Sequence, residues 1–235
     1  MLKDSILVFT TDNGGPAEGY NRNVASNWPL RGVKDTLWEG GVRGAALVWS
    51  PWLRSRGRVS HQMMTIQDWL PTLYSAAGGQ PTDLVNIDGM DMWPTLADNK
   101  PSPRFMLVHN IVEDEIAFRV GNYKLLHTTE DHIYATNEFN DWYGPDGRDD
   151  DLPEYDIDHV LASPAGKALA SIVRIPSKQT ILNLRKQSDI KCDKIKGESP
   201  CNQGQLCLFN IKKDPCERDN LISKYKSIAK VNYDS

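Results

Sequence analysis

Near its start the chain carries a short apolar run that passes directly into an acid, an amide and two glycines. Ile6 to Thr11 is β-branched and apolar without polar alternation, which is typical of a strand buried on both faces of a parallel sheet. Asp12 and Asn13 follow it at once, and Gly14 and Gly15 come next. Because ligands of open α/β sheets lie beyond the carboxyl ends of the strands, this stretch predicts a binding site.

The two polar residues have the chemistry of a metal site. Asp12 and Asn13 offer hard oxygen atoms suited to Ca²⁺ or Mg²⁺, and the two glycines let the backbone turn away without a side chain in its path. The same four residues are also well suited to an ordinary turn. On these residues alone both interpretations stay open.

Further elements of an α/β layer are predicted within residues 1–100. Ala45 to Ser50 has the same apolar texture as the first run and predicts a second buried strand. The stretch 66–79 predicts a helix that Asp68 caps and Gly78 ends. Strands that alternate with helices indicate the α/β class.

A change of texture predicts a small antiparallel α+β subdomain over residues 101–235. Residues 116–129 are two β-rich runs around a Gly-Asn pair, which is typical of a hairpin. Residues 207–215 predict another strand that enters a turn at an Asp-Pro pair. Between them, residues 143–158 are acidic and turn-rich but lack the ligand order of a calcium-binding loop, so a solvated acidic loop is predicted.

Charge and hydrophobicity exclude several classes of partner. The formal net charge of −4 gives no basic face or stripe for nucleic acid. No apolar run approaches the roughly 18 residues that cross a bilayer, so no membrane span is predicted. Asp4 interrupts the first residues and the apolar run after it is short, so this chain shows no signal peptide.

The segment after the first turn favours the binding-site interpretation of that turn. Lys34 lies in "NWPLRGVKDTLWEGGVRG", and "DWLPTL", "DGMDMWPTL", "HNI", "FRVGNYKLL" and "LFNIKKDP" follow in order. Together with "TDNGG" this series resembles the sulfatase family, and most of all its arylsulfatase B-like branch. The resemblance is dense over residues 6–126 and returns at 206–221, and it implies the C-terminal half of an alkaline-phosphatase-like sulfatase sheet.

The resemblance implies specific roles for a few residues. It assigns Asp12 and Asn13 to the active-site calcium, as two of its ligands, and Lys34 to the sulfate group. His109, in "HNI", could border the substrate pocket or be an ordinary histidine. The implied activity is hydrolysis of sulfate esters of glycosaminoglycan sugars or of aryl sulfates. We expect Glu39 and Arg43 to pair structurally across the glycine turn.

The family's nucleophile is expected outside this chain. The resemblance implies a formylglycine made from a Cys or Ser in a Cys/Ser-x-Pro-x-Arg motif, and the sequence contains no such motif. The upstream aspartates that complete the calcium site and the upstream groups that handle protons are not matched either. We therefore expect the chain to be inactive alone, as the product of an incomplete gene model or of a real truncation.

Two other functions stay open at this point. One is a related hydrolase of phosphate or phosphonate esters, although the zinc enzymes of that kind would need a His or Asp in place of Asn13. The other is a truncated, non-catalytic partner of a longer sulfatase.

The four cysteines all lie in one late segment, without zinc-like spacing. An even, clustered set predicts disulfides formed in an oxidising compartment, in agreement with the lysosomal or secreted location that the resemblance implies. Because neighbours in sequence close short loops, we predict bridges from Cys192 to Cys201 and from Cys207 to Cys216.

Overall fold

The structure is a computed structural model. It describes residues 2–17, 22–23, 25–112, 115–127, 155–192, 201 and 204–225. The strands are β1 (Leu7–Thr10), β2 (Ala46–Trp49), β3 (Met106–Val112), β4 (Glu115–Val120), β5 (Tyr123–His127) and β6 (Leu206–Asn210). The α-helices are α1 (Glu39–Val42), α2 (Trp69–Ala76), α3 (Trp93–Asp98), α4 (Ile157–Ala162), α5 (Pro164–Ile172) and α6 (Lys178–Ser188). Short 3₁₀ helices span Leu2–Asp4, Ile66–Asp68 and Pro81–Asp83.

The two strands of the first part form an antiparallel ribbon. β1 pairs with β2, with Leu7 opposite Trp49 and Thr10 opposite Ala46. The predicted strands are therefore present, but the parallel, doubly buried arrangement is wrong for this chain. Because no third strand in the described residues joins the ribbon, apolar side chains such as Phe9 stay largely exposed, at 64%.

The predicted helix of the stretch 66–79 is confirmed as α2, which ends before Gly78 in a left-handed conformation (φ +92°). The predicted role of Asp68 is wrong. Its side chain does not cap α2 but closes a capping box with Thr65 around the preceding 3₁₀ turn and pairs with the buried Arg104. Asp68 is an anchor between α2 and the segment that leads into β3.

The second part is built on a four-stranded antiparallel sheet in the order β3-β4-β5-β6. The hairpin predicted for this region is confirmed, since β4 and β5 meet at Gly121 and Asn122, and Gly121 takes a left-handed φ of +57°. The predicted strand before Asp214 is confirmed as β6, which pairs with β5. Of the predicted acidic loop, residues 143–154 lie outside the described residues, and Asp156 caps the start of α4.

The core joins the two predicted parts. Trp38, which directly precedes α1, is 2% exposed and packs edge-on against Phe209 of β6, with ring centroids 6.0 Å apart. Ala117, Leu126 and Ile211 belong to the same buried cluster. The division into residues 1–100 and 101–235 stays a prediction, but Trp38 shows that a shared apolar core crosses it.

The structure contradicts the predicted disulfide pairing. Cys192 is bonded to Cys216 and Cys201 to Cys207, with Cα–Cα distances of 5.8 and 5.9 Å. Proximity in sequence does not determine the pairing of the first and last cysteines. β6 places Cys207 beside Cys201, and the turn after β6 brings Cys216 beside Cys192. The prediction that all four cysteines form disulfides is confirmed.

Candidate functional site

The site is organised by a close approach of two glycine pairs. The amide of Gly14 donates a hydrogen bond of 2.7 Å to the carbonyl of Gly41. A Cβ atom on Gly14 would lie 1.7 Å from the carbonyl oxygen of Gly40, so no side chain fits there. The two glycine-rich stretches of the sequence are therefore the two sides of one backbone contact, which fixes the end of β1 against α1.

Asn27 holds the same turn from the other side. Its side-chain oxygen accepts the amide of Gly15 at 2.7 Å, and its side-chain nitrogen donates to the carbonyl of Gly15 at 2.6 Å. The amide of Lys34 also donates to the Gly15 carbonyl, at 3.2 Å. The sequence analysis missed Asn27, although it lies at the start of the "NWPLRG" stretch that carried part of the resemblance.

In the turn after β1, the side chains of Asp12 and Asn13 make different hydrogen bonds. The carboxylate of Asp12, an exposed residue, accepts the amide of Asn13 at 2.9 Å. The side-chain nitrogen of Asn13 donates to the carbonyl of Gly14 at 2.6 Å, which leaves its side-chain oxygen as the free end of the amide. Both residues therefore present oxygen atoms of the kind that Ca²⁺ prefers.

This donor set fits a calcium ion only in part. Ca²⁺ takes about 6–8 oxygen ligands, and Asp12 and Asn13 supply two side chains. Within the described residues no group of three or more His, Cys, Asp or Glu side chains could hold a metal ion. The turn is thus half of a possible site, and other ligands are needed to complete it.

A cavity of about 610 Å³ lies beside the turn. Asp12, Asn13 and His109 all line it, so the structure brings together three of the four residues that the sequence singled out. Lys34 does not line it, although the next two residues, Asp35 and Thr36, do. Lys34 is half-buried and is tied to the turn through its backbone.

His109 occupies an irregular position in β3. Val108 pairs with Phe118 and Asn110 with Ala117, so His109 is the extra residue of a β-bulge. Its Nε2 atom is buried and has no hydrogen-bond partner among the described residues. Burial, together with the nearby ammonium of Lys124, lowers the pKa of His109 to about 3, so its imidazole is neutral at physiological pH.

The predicted pair of Glu39 and Arg43 is present but is not the main contact of Glu39. The two side chains are 4.0 Å apart, with Glu39 at the start of α1 and Arg43 directly after its last residue. Glu39 instead lies 3.1 Å from the buried ammonium of Lys124, which also contacts Glu217 at 2.8 Å. The sequence analysis missed Lys124 and Glu217, because nothing in the local pattern of either residue marks a buried charge.

Comparison with known proteins shows which family the region that carries the turn is similar to. Residues 1–79 match the sequence profile of the sulfatase family. This region contains β1, the turn, α1, β2 and all of α2, so both sides of the glycine contact described above lie within the matched residues.

Two relatives extend the similarity beyond the sulfatase region. Arylsulfatase J of Mus musculus is 32% identical over 237 residues, covering 98% of this chain and 34% of the relative. N-acetylgalactosamine-6-sulfatase of Rattus norvegicus is 35% identical over 122 residues, covering 52% of this chain and 21% of the relative. The chain therefore spans about a third or less of the length of these curated relatives.

A solved structure shows the fold. The PsFucS1 sulfatase from Pseudoalteromonas sp. superposes with a TM-score of 0.54 at 20% identity, over 96% of this chain and 34% of that one. The chain thus has part of the alkaline-phosphatase-like sulfatase architecture, with the four-stranded antiparallel sheet as its second element. No helix in the described part of the chain is long and apolar enough to cross a membrane.

Proposed function

We propose that this chain is the C-terminal part of a sulfatase that hydrolyses sulfate esters. The observation that carries the proposal is the turn after β1: Asp12 and Asn13 present oxygens beside a cavity, and two glycine pairs fix their backbone within a sequence that matches the sulfatase family. No single residue of this set is diagnostic. The combination of donor chemistry, cavity and family match is what supports the function.

In this proposal Asp12 and Asn13 are ligands of a calcium ion, which would supply a fixed positive charge next to the sulfuryl oxygens. Lys34 would provide a second positive charge for the bound sulfate, although its side chain does not line the cavity in this structure. The hydrogen bond from its backbone amide to the Gly15 carbonyl holds the Lys34 backbone beside residues 12–15, which we call the metal turn. His109 borders the space for the substrate as an uncharged group.

The formylglycine nucleophile and the remaining calcium ligands are proposed to lie in a segment outside this chain. The β1–β2 ribbon supports this, because Leu7, Phe9 and Leu47 are 51%, 64% and 60% exposed on what would otherwise be core strands. Exposed apolar surface of this kind is typical of an interface. We propose that the rest of a longer sulfatase chain covers it.

The substrate class is proposed from the resemblance to arylsulfatase B-like sequences and from the relatives. One relative is named for a sulfated N-acetylgalactosamine, and we propose a glycosaminoglycan sugar sulfate for this protein. A lysosomal or secreted location follows from the two disulfides, because cytosolic thiols are normally kept reduced.

The test uses a chain extended through the coding sequence upstream of Met1, assayed with 4-nitrocatechol sulfate and with N-acetylgalactosamine 4-sulfate. Hydrolysis is expected from the extended chain and not from residues 1–235 alone. Lys34→Ala in the extended chain should reduce kcat about 10²-fold or more, the effect of losing one preorganised charge partner. Unchanged kinetics in that variant would remove Lys34 from the site, and hydrolysis of phosphate esters only would replace the proposed function.

A further inference from the structure

Three charged side chains form a cluster in the interior, and none of the three lines the cavity. Lys124 and Glu217 are 0% exposed and Glu39 is 2% exposed. The Lys124 ammonium lies 3.1 Å from Oε1 of Glu39 and 2.8 Å from Oε1 of Glu217. The other oxygen of Glu217 accepts the backbone amide of Glu39 at 2.7 Å. α1, β5 and the turn after β6 therefore meet at one ammonium group.

The cluster has one carboxylate more than its ammonium can neutralise. With both carboxylates ionised it would carry a net charge of −1 in a dry environment, which is costly. Arg43, Arg119 and His109 are the other charged or titratable groups near Glu39. Arg43 comes no nearer to Glu39 than 4.0 Å and lies at the surface, and Arg119 acts on Glu39 more weakly than Arg43 does, so the two arginines offset the excess charge weakly.

A single shared proton removes the excess charge. Burial, opposed by Lys124 and reinforced by Glu39, raises the pKa of Glu217 to about 7. Burial alone would also raise the pKa of Glu39, but the attraction of Lys124 and its other cationic neighbours outweighs it and lowers that pKa. The proton belongs to the pair of carboxylates, and Glu217 is the better site for it.

The cluster is coupled to the metal turn through backbone contacts. Glu39 directly precedes Gly40 and Gly41, and Glu217 holds the backbone amide of Glu39. Gly41 accepts the amide of Gly14, and the Gly40 carbonyl sits where a Gly14 side chain would be. Any displacement of Glu39 would therefore move the surface on which the turn rests.

We propose that Lys124, Glu39 and Glu217 are positioning residues that hold the Gly40–Gly41 pair against the metal turn, and that they do so best in acid, when the two carboxylates share one proton. In a neutral or alkaline medium the buried excess charge weakens the hold. The positioning role rests on the proposed function in one respect, which is that the turn carries metal ligands. The proton coupling itself needs neither metal nor substrate.

The direction of the pH dependence follows from the folded and unfolded pKa values. The pKa of Glu217 is raised from 4.5 to about 7 on folding, so the folded state holds a proton that the unfolded chain has lost. The stabilisation is present in full below about pH 4.5 and is lost as the pH rises through about 7. The thermal midpoint should therefore fall between pH 5.5 and 8 more steeply in the natural chain than in Glu217→Gln.

The experiment is a pH titration of residues 1–235 by amide NMR, over roughly pH 5 to 8.5. The amides of Gly40 and Gly41 should shift with one midpoint near 7, and the amide of Gly14 should follow with the same midpoint. Glu217→Gln keeps the shape of the side chain but removes its titratable group. In this variant the chemical shifts of the three amides should no longer change with a midpoint near pH 7. If that variant does not fold, Glu39→Gln serves instead, because it also leaves one carboxylate for one ammonium.

Asp214 is the matched control, because it lies in the same turn and burial raises its pKa as well. Asp214→Asn should leave the glycine titration in place. The proposal is overturned if Gly40 and Gly41 do not titrate in the natural chain, or if they titrate unchanged in Glu217→Gln. Loss of sulfatase activity in the earlier assay together with an intact glycine titration would reject the proposed function and leave the proton coupling standing.

Discussion

Replacement of the buried Asp68 by alanine should lower the free energy of unfolding strongly. The loss should be much larger than for Asp98, which pairs with an arginine at the surface. The Asp68 side chain is fully buried and binds Arg104 through both of its oxygens, at 2.5 and 2.9 Å. It also accepts the backbone amides of Thr65 and Met90, each at 2.8 Å. The alanine variant leaves a buried guanidinium and two part-buried amides without this partner.

The magnitude follows from these contacts. Breaking a buried ion pair from one side costs about 3–5 kcal/mol, because the remaining charge stays in the interior. The two amides add less, because they are only part-buried and water can reach them when the carboxylate is lost. We expect a loss of about 4 kcal/mol or more in the free energy of unfolding, a large part of the roughly 5–15 kcal/mol of a typical domain.

Urea denaturation of residues 1–235 measures this loss, and a second Asp–Arg pair provides the control. Asp98 pairs with Arg54 at the surface, where the Arg54 side chain is 70% exposed, so Asp98→Ala should leave the unfolding curve nearly unchanged. The reasoning is refuted if Asp68→Ala is no more destabilising than Asp98→Ala.

Acid offers an independent check on Asp68. Burial would raise its pKa, but the bond from Arg104 and the two amide bonds outweigh burial and lower the pKa below the ordinary 3.8. The stabilisation is thus present above about pH 3.8 and is lost as the pH falls through the folded-state pKa. The stability gap between the natural chain and Asp68→Asn should narrow in that acid range.

Two further predictions concern the turn and the disulfides. Gly14→Ala should destabilise the chain by about 1–3 kcal/mol or more in urea denaturation, because the new methyl group meets the rigid Gly40 carbonyl, and an unchanged unfolding curve would contradict the contact. Peptide mapping of non-reduced protein from a secretory host should recover a Cys192–Cys216 peptide, and a Cys192–Cys201 peptide in its place would contradict the structure.

Local patterns predicted the local structure. The end of β1 at "TDNGG", the helix that stops before Gly78 and the hairpin at Gly121 all depend on glycine freedom and apolar spacing over a few residues. The turn, the helix end and the hairpin are readable because each is determined within a short stretch of sequence. The resemblance assigned Asp12 and Asn13 to one site and left His109 open between the substrate pocket and an ordinary histidine, and all three line one cavity.

Contacts between distant segments could not be predicted from the sequence. The pairing of β1 with β2 and the bridge from Cys192 to Cys216 depend on where the chain returns in space, which single-sequence spacing does not encode. Lys124 was missed for a second reason. A lysine is normally solvated, and only the arrival of Glu39 and Glu217 at the same place makes its burial possible.

Calcium binding tests the central claim most directly. If Asp12 and Asn13 are half of a sulfatase calcium site, calorimetry should show weak binding by residues 1–235 and tight one-to-one binding by a chain extended upstream of Met1. Asp12→Ala or Asn13→Ala should abolish the tight binding while Asp98→Ala leaves it unchanged. Tight one-to-one binding by residues 1–235 alone, or tight binding by the extended chain that survives loss of both side chains, would contradict the account.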